Sequence, residues 1–161
     1  MGSVFLLLGS NLGDRLANLL EARQHISRQA GKIVTASGIY RTAAWGDETQ
    51  PDFYNQALEI DPFAGPRETL LSLLEIEKKM GRVRHEKWGS RVIDIDIVLW
   101  GNDHIELPDL TIPHPHLQDR RFVLVPLAEI APQTVHPVLK KNILQLLAEC
   151  TDTLGVSRVD L

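Results

Sequence analysis

The sequence predicts an α+β protein: a ferredoxin-like β-α-β-β-α-β sandwich, with an antiparallel sheet backed by helices and a C-terminal extension. Three observations predict it. A wholly apolar run at residues 4–8 ends in Gly9-Ser10-Asn11 and leads directly into a helical pattern. Two strand-like stretches, at 32–42 and 53–60, then follow with no helical pattern between them. A second helical pattern leads into a last strand, in which Ile93, Ile95 and Ile97 alternate with Asp94, Asp96 and Val98.

Asp14 is placed to cap the first helix. The apolar positions of that helix, Leu16, Leu19, Leu20, Ile26 and Ala30, recur at helical spacing until Gly31 stops it. The GSNLG turn before it has the glycines of a phosphate loop but no Lys-Ser/Thr after them, so a turn and cap is its predicted role. Residues 32–42, with Val34, Ile39 and Tyr40, read as one long strand. Residues 43–52 are loop, broken by Trp45, Gly46, Asp47 and Pro51. Trp45 would either cover a ligand there or fold back onto the core, and both readings stand at this point. The strand at 53–60 puts Phe53 and Asn55 on one face, a ring to stack on a planar heterocycle and an amide to pair with its edge.

Gly65-Pro66 opens the second helix, with Leu70, Leu73, Leu74 and Ile76 as its buried stripe and Glu77 near its end. Gly101-Asn102 closes the aspartate strand, and two short segments follow at 103–107 and 108–113. Residues 122–131 read as a partly helical apolar segment, and 142–150 as a last amphipathic helix carrying Ile143, Leu146 and Leu147. The tail from Thr151 is polar and is expected to be mobile. No internal repeat or interdomain linker interrupts the chain, so a single domain over 1–161 is expected.

The chemistry concentrates between residues 81 and 100. Alternation places Asp94 and Asp96 on one face of their strand, about 7 Å apart at the backbone. Two such carboxylates suit Mg²⁺, which takes one or two acidic groups plus waters and phosphate oxygens. Arg82, Arg84, His85, Lys87 and Arg91 lie just before them, and arginine's planar fork matches phosphate oxygens. An Asp-x-Asp pair by itself is often only a solvated face. The apolar character of the strand predicts a central position, where unpaired acids are costly, and the adjacent cations supply the other half of a metal–phosphate site. His114 and His116 lack a cysteine or third histidine at zinc spacing, so His114 is better read as a phosphate donor. Arg120, Arg121 and Phe122 form a second basic–aromatic cluster.

Acidic residues outnumber basic ones, 21 to 17, for a net charge of −4, which disfavours a nucleic-acid partner. The lone Cys150 excludes an internal disulfide, fits a reducing compartment, and is expected to be a buried, inert thiol. No signal peptide pattern or run of membrane-spanning length is present. A cytoplasmic protein, by default a monomer, is expected.

With these residues in hand, the chain resembles the 6-hydroxymethyl-7,8-dihydropterin pyrophosphokinases of folate biosynthesis. The resemblance spans residues 4 to about 137 and rests on LGSNLGDR at 8–15, YRTAAW at 40–45, QPDFYNQA at 50–57, EKKMGRVR at 77–84, WGSRVIDIDIVL at 88–99, LTIPHPHLQDRRFVL at 110–124 and PLAEIAP at 126–132. It implies transfer of pyrophosphate from ATP to the hydroxymethyl group of the pterin, with release of AMP. It also implies two Mg²⁺ ions on Asp94 and Asp96. The pterin would lie between Phe53 and Phe122, read by Asn55 and the backbone around Thr42, with Trp45 and Trp88 close by. Glu77, Ile97, Thr111, His114 and Arg120 match positions used around ATP, Ile97 and Thr111 near the adenine. Arg82, Arg84, Trp88 and Arg91 match the family's catalytic loop, with Arg84 and Arg91 also toward ATP.

The chain departs from the family pattern at several places. Ala43 and Ala44 stand where many members have prolines, Trp45 where they have an aliphatic residue, and Asp109 where some have a basic one. Residues 85–87 form a loop one residue shorter than in some relatives. Two other functions fit the residues less fully. A different Mg²⁺-dependent phosphoryl or nucleotidyl transferase would keep the aspartates but would not need Phe53, Asn55 and Phe122 as a clamp. A nucleotide-sensing module would bind ATP without releasing AMP.

Overall fold

The structure is a computed structural model that describes residues 3–43, 51–81 and 92–161. In chain order its elements are β1 (Val4–Ser10), α1 (Arg15–Gln29), β2 (Gly31–Ala36), β3 (Tyr40–Thr42), β4 (Phe53–Pro62), α2 (Pro66–Lys79), β5 (Asp94–Trp100), β6 (Ile105–Leu107), β7 (Leu110–Ile112), a 3-10 turn (Leu117–Asp119), α3 (Arg121–Ile130), α4 (Ile143–Glu149) and β8 (Val156–Arg158). The main sheet runs β5-β1-β4-β3-β8, with β2 also paired to β4, and every pairing is antiparallel. The segments at 103–107 and 108–113 close into a small β6–β7 hairpin.

Helices cover both faces of this sheet. On one face Val4, Leu6 and Leu8 of β1 meet Leu19, Ala22 and Ile26 of α1 and Leu73 and Ile76 of α2. On the other, Phe5 and Leu7 meet Val123, Leu124 and Leu127 of α3 and Ile143 and Leu146 of α4. β1 is therefore buried along its whole length, which is why it reads as an unbroken apolar run. The starts of α1 and α2 are those the sequence predicts, and the cap of α4 is a finding of the structure. Asp14 Oδ1 accepts the Ala17 N–H at 3.0 Å, and Pro66 opens α2. Asn142 and Gln145 form a reciprocal capping box at α4.

Several expectations are corrected. The aspartate strand β5 is an edge strand, not a central one. It is apolar because both its faces are covered: Ile93, Ile95 and Ile97 lie in the α1/α2 core, Val98 and Leu99 in the α3/α4 core. A bulge opposite Phe5 and Leu6 puts Val98 and Leu99 on the same side and ends the simple alternation. The long strand expected at 32–42 is two strands. Ala36 pairs with Leu58 and Tyr40 with Asn55, so one strand carries an extra residue there. Ser37 fills the gap, its hydroxyl accepting the Ala57 N–H at 2.9 Å. Leu20 of α1 points outward, 47% exposed. Cys150 is only partly buried. The tail is not loose: Val156–Arg158 form β8 along β3.

Candidate active site

Polar residues collect toward one end of the sheet face that carries α3 and α4. Gly9 of β1 is the partner of Asn55 on one side and of Asp94 on the other. Opposed residues in antiparallel strands share a face. Asp94, Asp96, Asn55, Phe53, Thr42 and Tyr40 therefore all belong to this face, as their partners Leu7 and Gly9 do. Two strand spacings separate Asn55 from Asp94, about 9–10 Å.

Gly9 keeps that interval open. A Cβ built there would lie 2.9 Å from Asn55 Oδ1 and 3.5 Å from the Phe53 ring. Only a residue without a side chain lets the amide and the ring lean over β1. Asn55 and Thr42 are 3% and 2% exposed, and Asn55 Nδ2 donates to Thr42 Oγ1 at 2.9 Å. That bond holds the amide with its carbonyl oxygen toward Gly9. Asp94 is half-buried and Asp96 exposed, at the start of β5. Among the described residues no group of three or more His, Cys, Asp or Glu side chains forms a ready cation cage.

The outer edge of β5 is also occupied. An edge strand presents unpaired backbone groups, and here two of them have partners from elsewhere. Glu77, 3% exposed on α2, accepts the Ile95 N–H at 2.7 Å through Oε2. The His114 N–H donates to the Val98 carbonyl at 3.0 Å. His114 Nδ1 accepts the His116 N–H at 3.1 Å, which leaves Nε2 as the proton-bearing nitrogen of a neutral ring. Burial pushes this imidazole down to about 4, and the nearby Arg120 and His116 charges add to that. Arg120 also lies 5.7 Å from the centre of the Phe122 ring, so it joins the β5 edge to the aromatic cluster on α3. Thr111 is exposed on β7, which packs on β5. The Ile97 side chain is buried in the α1/α2 core.

The fold thus brings Thr42, Phe53, Asn55, Asp94 and Asp96 to one sheet face, Phe122 to the helix covering that face, and Glu77, His114 and Thr111 to the adjoining edge. Trp45, Arg82, Arg84, Trp88 and Arg91 lie outside the described residues. So do Ala44 and the short loop at 85–87. Asp109 pairs with Arg67 of α2 at 3.2 Å on the surface.

A family model described as 7,8-dihydro-6-hydroxymethylpterin-pyrophosphokinase matches residues 5–132. The chain belongs to this family. Relatives bearing the name 2-amino-4-hydroxy-6-hydroxymethyldihydropteridine pyrophosphokinase agree along nearly the whole chain. The Synechocystis protein is 45% identical over 89% of this chain and 75% of its own. The Aquifex aeolicus protein is 39% identical over 94% of both. The Methylorubrum extorquens protein is 41% identical over 99% of this chain and all of its own. Among solved structures, a Plasmodium falciparum HPPK-DHPS complex with pteroate superposes with a TM-score of 0.74 at 19% identity. That match covers 91% of this chain and 42% of the other, and it concerns the fold alone.

Reading the pyrophosphokinase motifs alone missed Gly9 and the Tyr40–Glu129 tie. Gly9 reads as the start of a turn because the apolar run ends at Leu8, whereas β1 continues through it to Ser10. Tyr40 donates to Glu129 Oε1 at 2.6 Å across 89 residues of sequence. No local pattern announces such a pair.

Proposed function

We propose that this chain transfers pyrophosphate from ATP to the hydroxymethyl group of 6-hydroxymethyl-7,8-dihydropterin, releasing AMP, as a step of folate biosynthesis. The observation that carries the reading is the row Asn55–Gly9–Asp94. It sets the Asn55 amide and an acidic pair on one face, separated by the gap over Gly9 into which the amide and the Phe53 ring lean. A pterin stacked between Phe53 and Phe122 would present its hydroxymethyl group into that gap.

Asn55 and Thr42 form the polar floor of this cleft and fix the ring's orientation. The donor set fits Mg²⁺: two carboxylates on one strand face, for a cation that takes one or two acidic groups and completes its shell with waters and phosphate oxygens. When bound, Mg²⁺ ions neutralise the negative charge of the phosphates and orient them. Along the β5 edge the neutral His114 ring offers its Nε2–H to a phosphate oxygen, and Arg120 adds charge beside it. Glu77 is already bonded to Ile95, so it acts on ATP by holding β5 in place. Ile97 contributes through its backbone, since its side chain is in the core. Arg82, Arg84, Trp88 and Arg91 remain proposed loop contacts on sequence grounds. Positioning and charge neutralisation dominate such transfers, so no side-chain general base is assigned.

The wider reading is a single ferredoxin-like domain, with residues after Gly101 as its extension, acting as a cytoplasmic monomer without a nucleic-acid partner. The interlocked order β5-β1-β4 and the net charge of −4 support it. No helix of the described residues is long and apolar enough to cross a membrane.

The test is incubation with ATP, Mg²⁺ and the pterin, followed by separation of the nucleotides. AMP formed in step with pterin consumed is the expected result. ADP would indicate ordinary phosphoryl transfer, and pterin-independent binding without turnover would indicate a nucleotide sensor.

A further inference from the structure

The family model stops at residue 132, yet the last residues of this chain reach both walls of the cleft. Asp152 begins the contact. Its Oδ2 accepts the Arg121 N–H at 3.0 Å, at the first residue of α3 and next to Phe122. Arg120, the residue preceding α3, makes no side-chain capping bond, so Asp152 supplies a cap from the other end of the domain. Its second oxygen accepts the Leu154 N–H at 2.9 Å, which turns the chain toward the sheet.

β8 then lies along β3 in register: Val156 opposite Thr42, Ser157 opposite Arg41, Arg158 opposite Tyr40. The Val159 N–H donates to the Ile39 carbonyl at 2.8 Å. Val156 shares the sheet face of Thr42, whose hydroxyl accepts from Asn55. Arg158 lays its guanidinium over Gly38, 2.7 Å from where a Cβ would stand, and reaches Glu129 Oε1 at 3.8 Å. Glu129 also accepts from Tyr40 and from the Gly38 N–H, and so ties α3 to β3 at the far end of the helix. The two ties are about 12 Å apart along α3. Between them they set the distance from Phe122 to Thr42 and Asn55. β3 is only three residues long, and without β8 it would be a sheet edge paired to β4 alone.

We propose that residues 152–158 are a positioning strap for the pterin: Asp152 sets Phe122, and Val156 forms the outer wall of the cleft beside Thr42. This rests on the reading that the pterin lies between Phe53 and Phe122. The strap lies beyond the region the family model covers.

The test measures KM for pterin and for ATP in Asp152→Ala, Asp152→Asn, Val156→Ala and a chain ending at residue 154. The expected result is a rise in pterin KM of about tenfold for the shortened chain and a smaller rise for Asp152→Ala, with ATP KM within about twofold of the parent. Asp152→Asn keeps an acceptor and restores most of the loss. Unchanged pterin KM, or equal rises in both constants, overturns the strap. Asn55→Ala serves as the control. If it weakens pterin binding while the tail variants do not, only the strap is wrong; if it has no effect, the cleft reading itself falls. Should the shortened chain fail to fold, the point variants decide.

Discussion

Glu77 Oε2 accepts the backbone N–H of Ile95, the residue between the two aspartates, at 2.7 Å from a position 3% exposed. The acid comes from α2 and the amide from the outer edge of β5. The bond satisfies a group that an edge strand would otherwise leave unpaired, and it fixes the strand that presents Asp94 and Asp96.

Glu77→Ala should therefore lower stability by about 1–3 kcal/mol, since it strands a buried amide, and should also raise KM for ATP. Glu77→Gln retains an acceptor and should recover most of the stability. Thermal unfolding and steady-state kinetics on both variants check this. A Glu77→Ala protein of parental stability would show that the bond does not hold β5.

Asp94 and Asp96 share one face of one strand, so their losses should not add. Each alanine variant should lose turnover by about a hundredfold or more, and the double variant should be little worse than the poorer single one. Rates of AMP release against Mg²⁺ concentration give the comparison. Losses that multiply would mean the two carboxylates act on separate steps.

Gly9→Ala should behave as a pterin-binding variant. Its Cβ would meet Asn55 Oδ1 at 2.9 Å, so the amide must move. Pterin KM should rise by about tenfold, as it should for Asn55→Ala, with ATP affinity nearly unchanged. Isothermal titration with each ligand separates the two effects.

His114 gives the protein a pH-dependent term. The folded ring protonates only near 4, whereas an unfolded one does so near 6.5. The neutral-ring stabilisation is complete above about pH 6.5, declines as pH falls toward 4, and levels below that. Its size is a few kcal/mol at most, at about 1.4 kcal/mol per unit. Denaturant unfolding between pH 4 and 7 should show a slope that His114→Gln reduces. An NMR titration placing this ring near its ordinary value would remove the prediction.

The aspartate strand, the shared face of Phe53 and Asn55, and the Asp14 cap were legible because each depends on residues a few positions apart. Alternation, helical spacing and capping chemistry are local, and so is the motif order that marks the family. The break in the 32–42 strand was not legible: it arises from a one-residue mismatch against β4, visible only once the partner is known. Nor was the edge position of β5, because an edge strand with both faces covered is as apolar as a central one. The tail was misread for a related reason. Its polarity describes its side chains, while β8 is held by its backbone pairing to β3, and Asp152 and Arg158 act at ranges of 31 and 29 residues, on Arg121 and Glu129. Local patterns in the sequence carry most of the elements, the family motifs and which residues share a strand face. Tertiary structure alone decided which edges meet, because hydrogen bonds between distant segments depend on register and packing that no local pattern encodes.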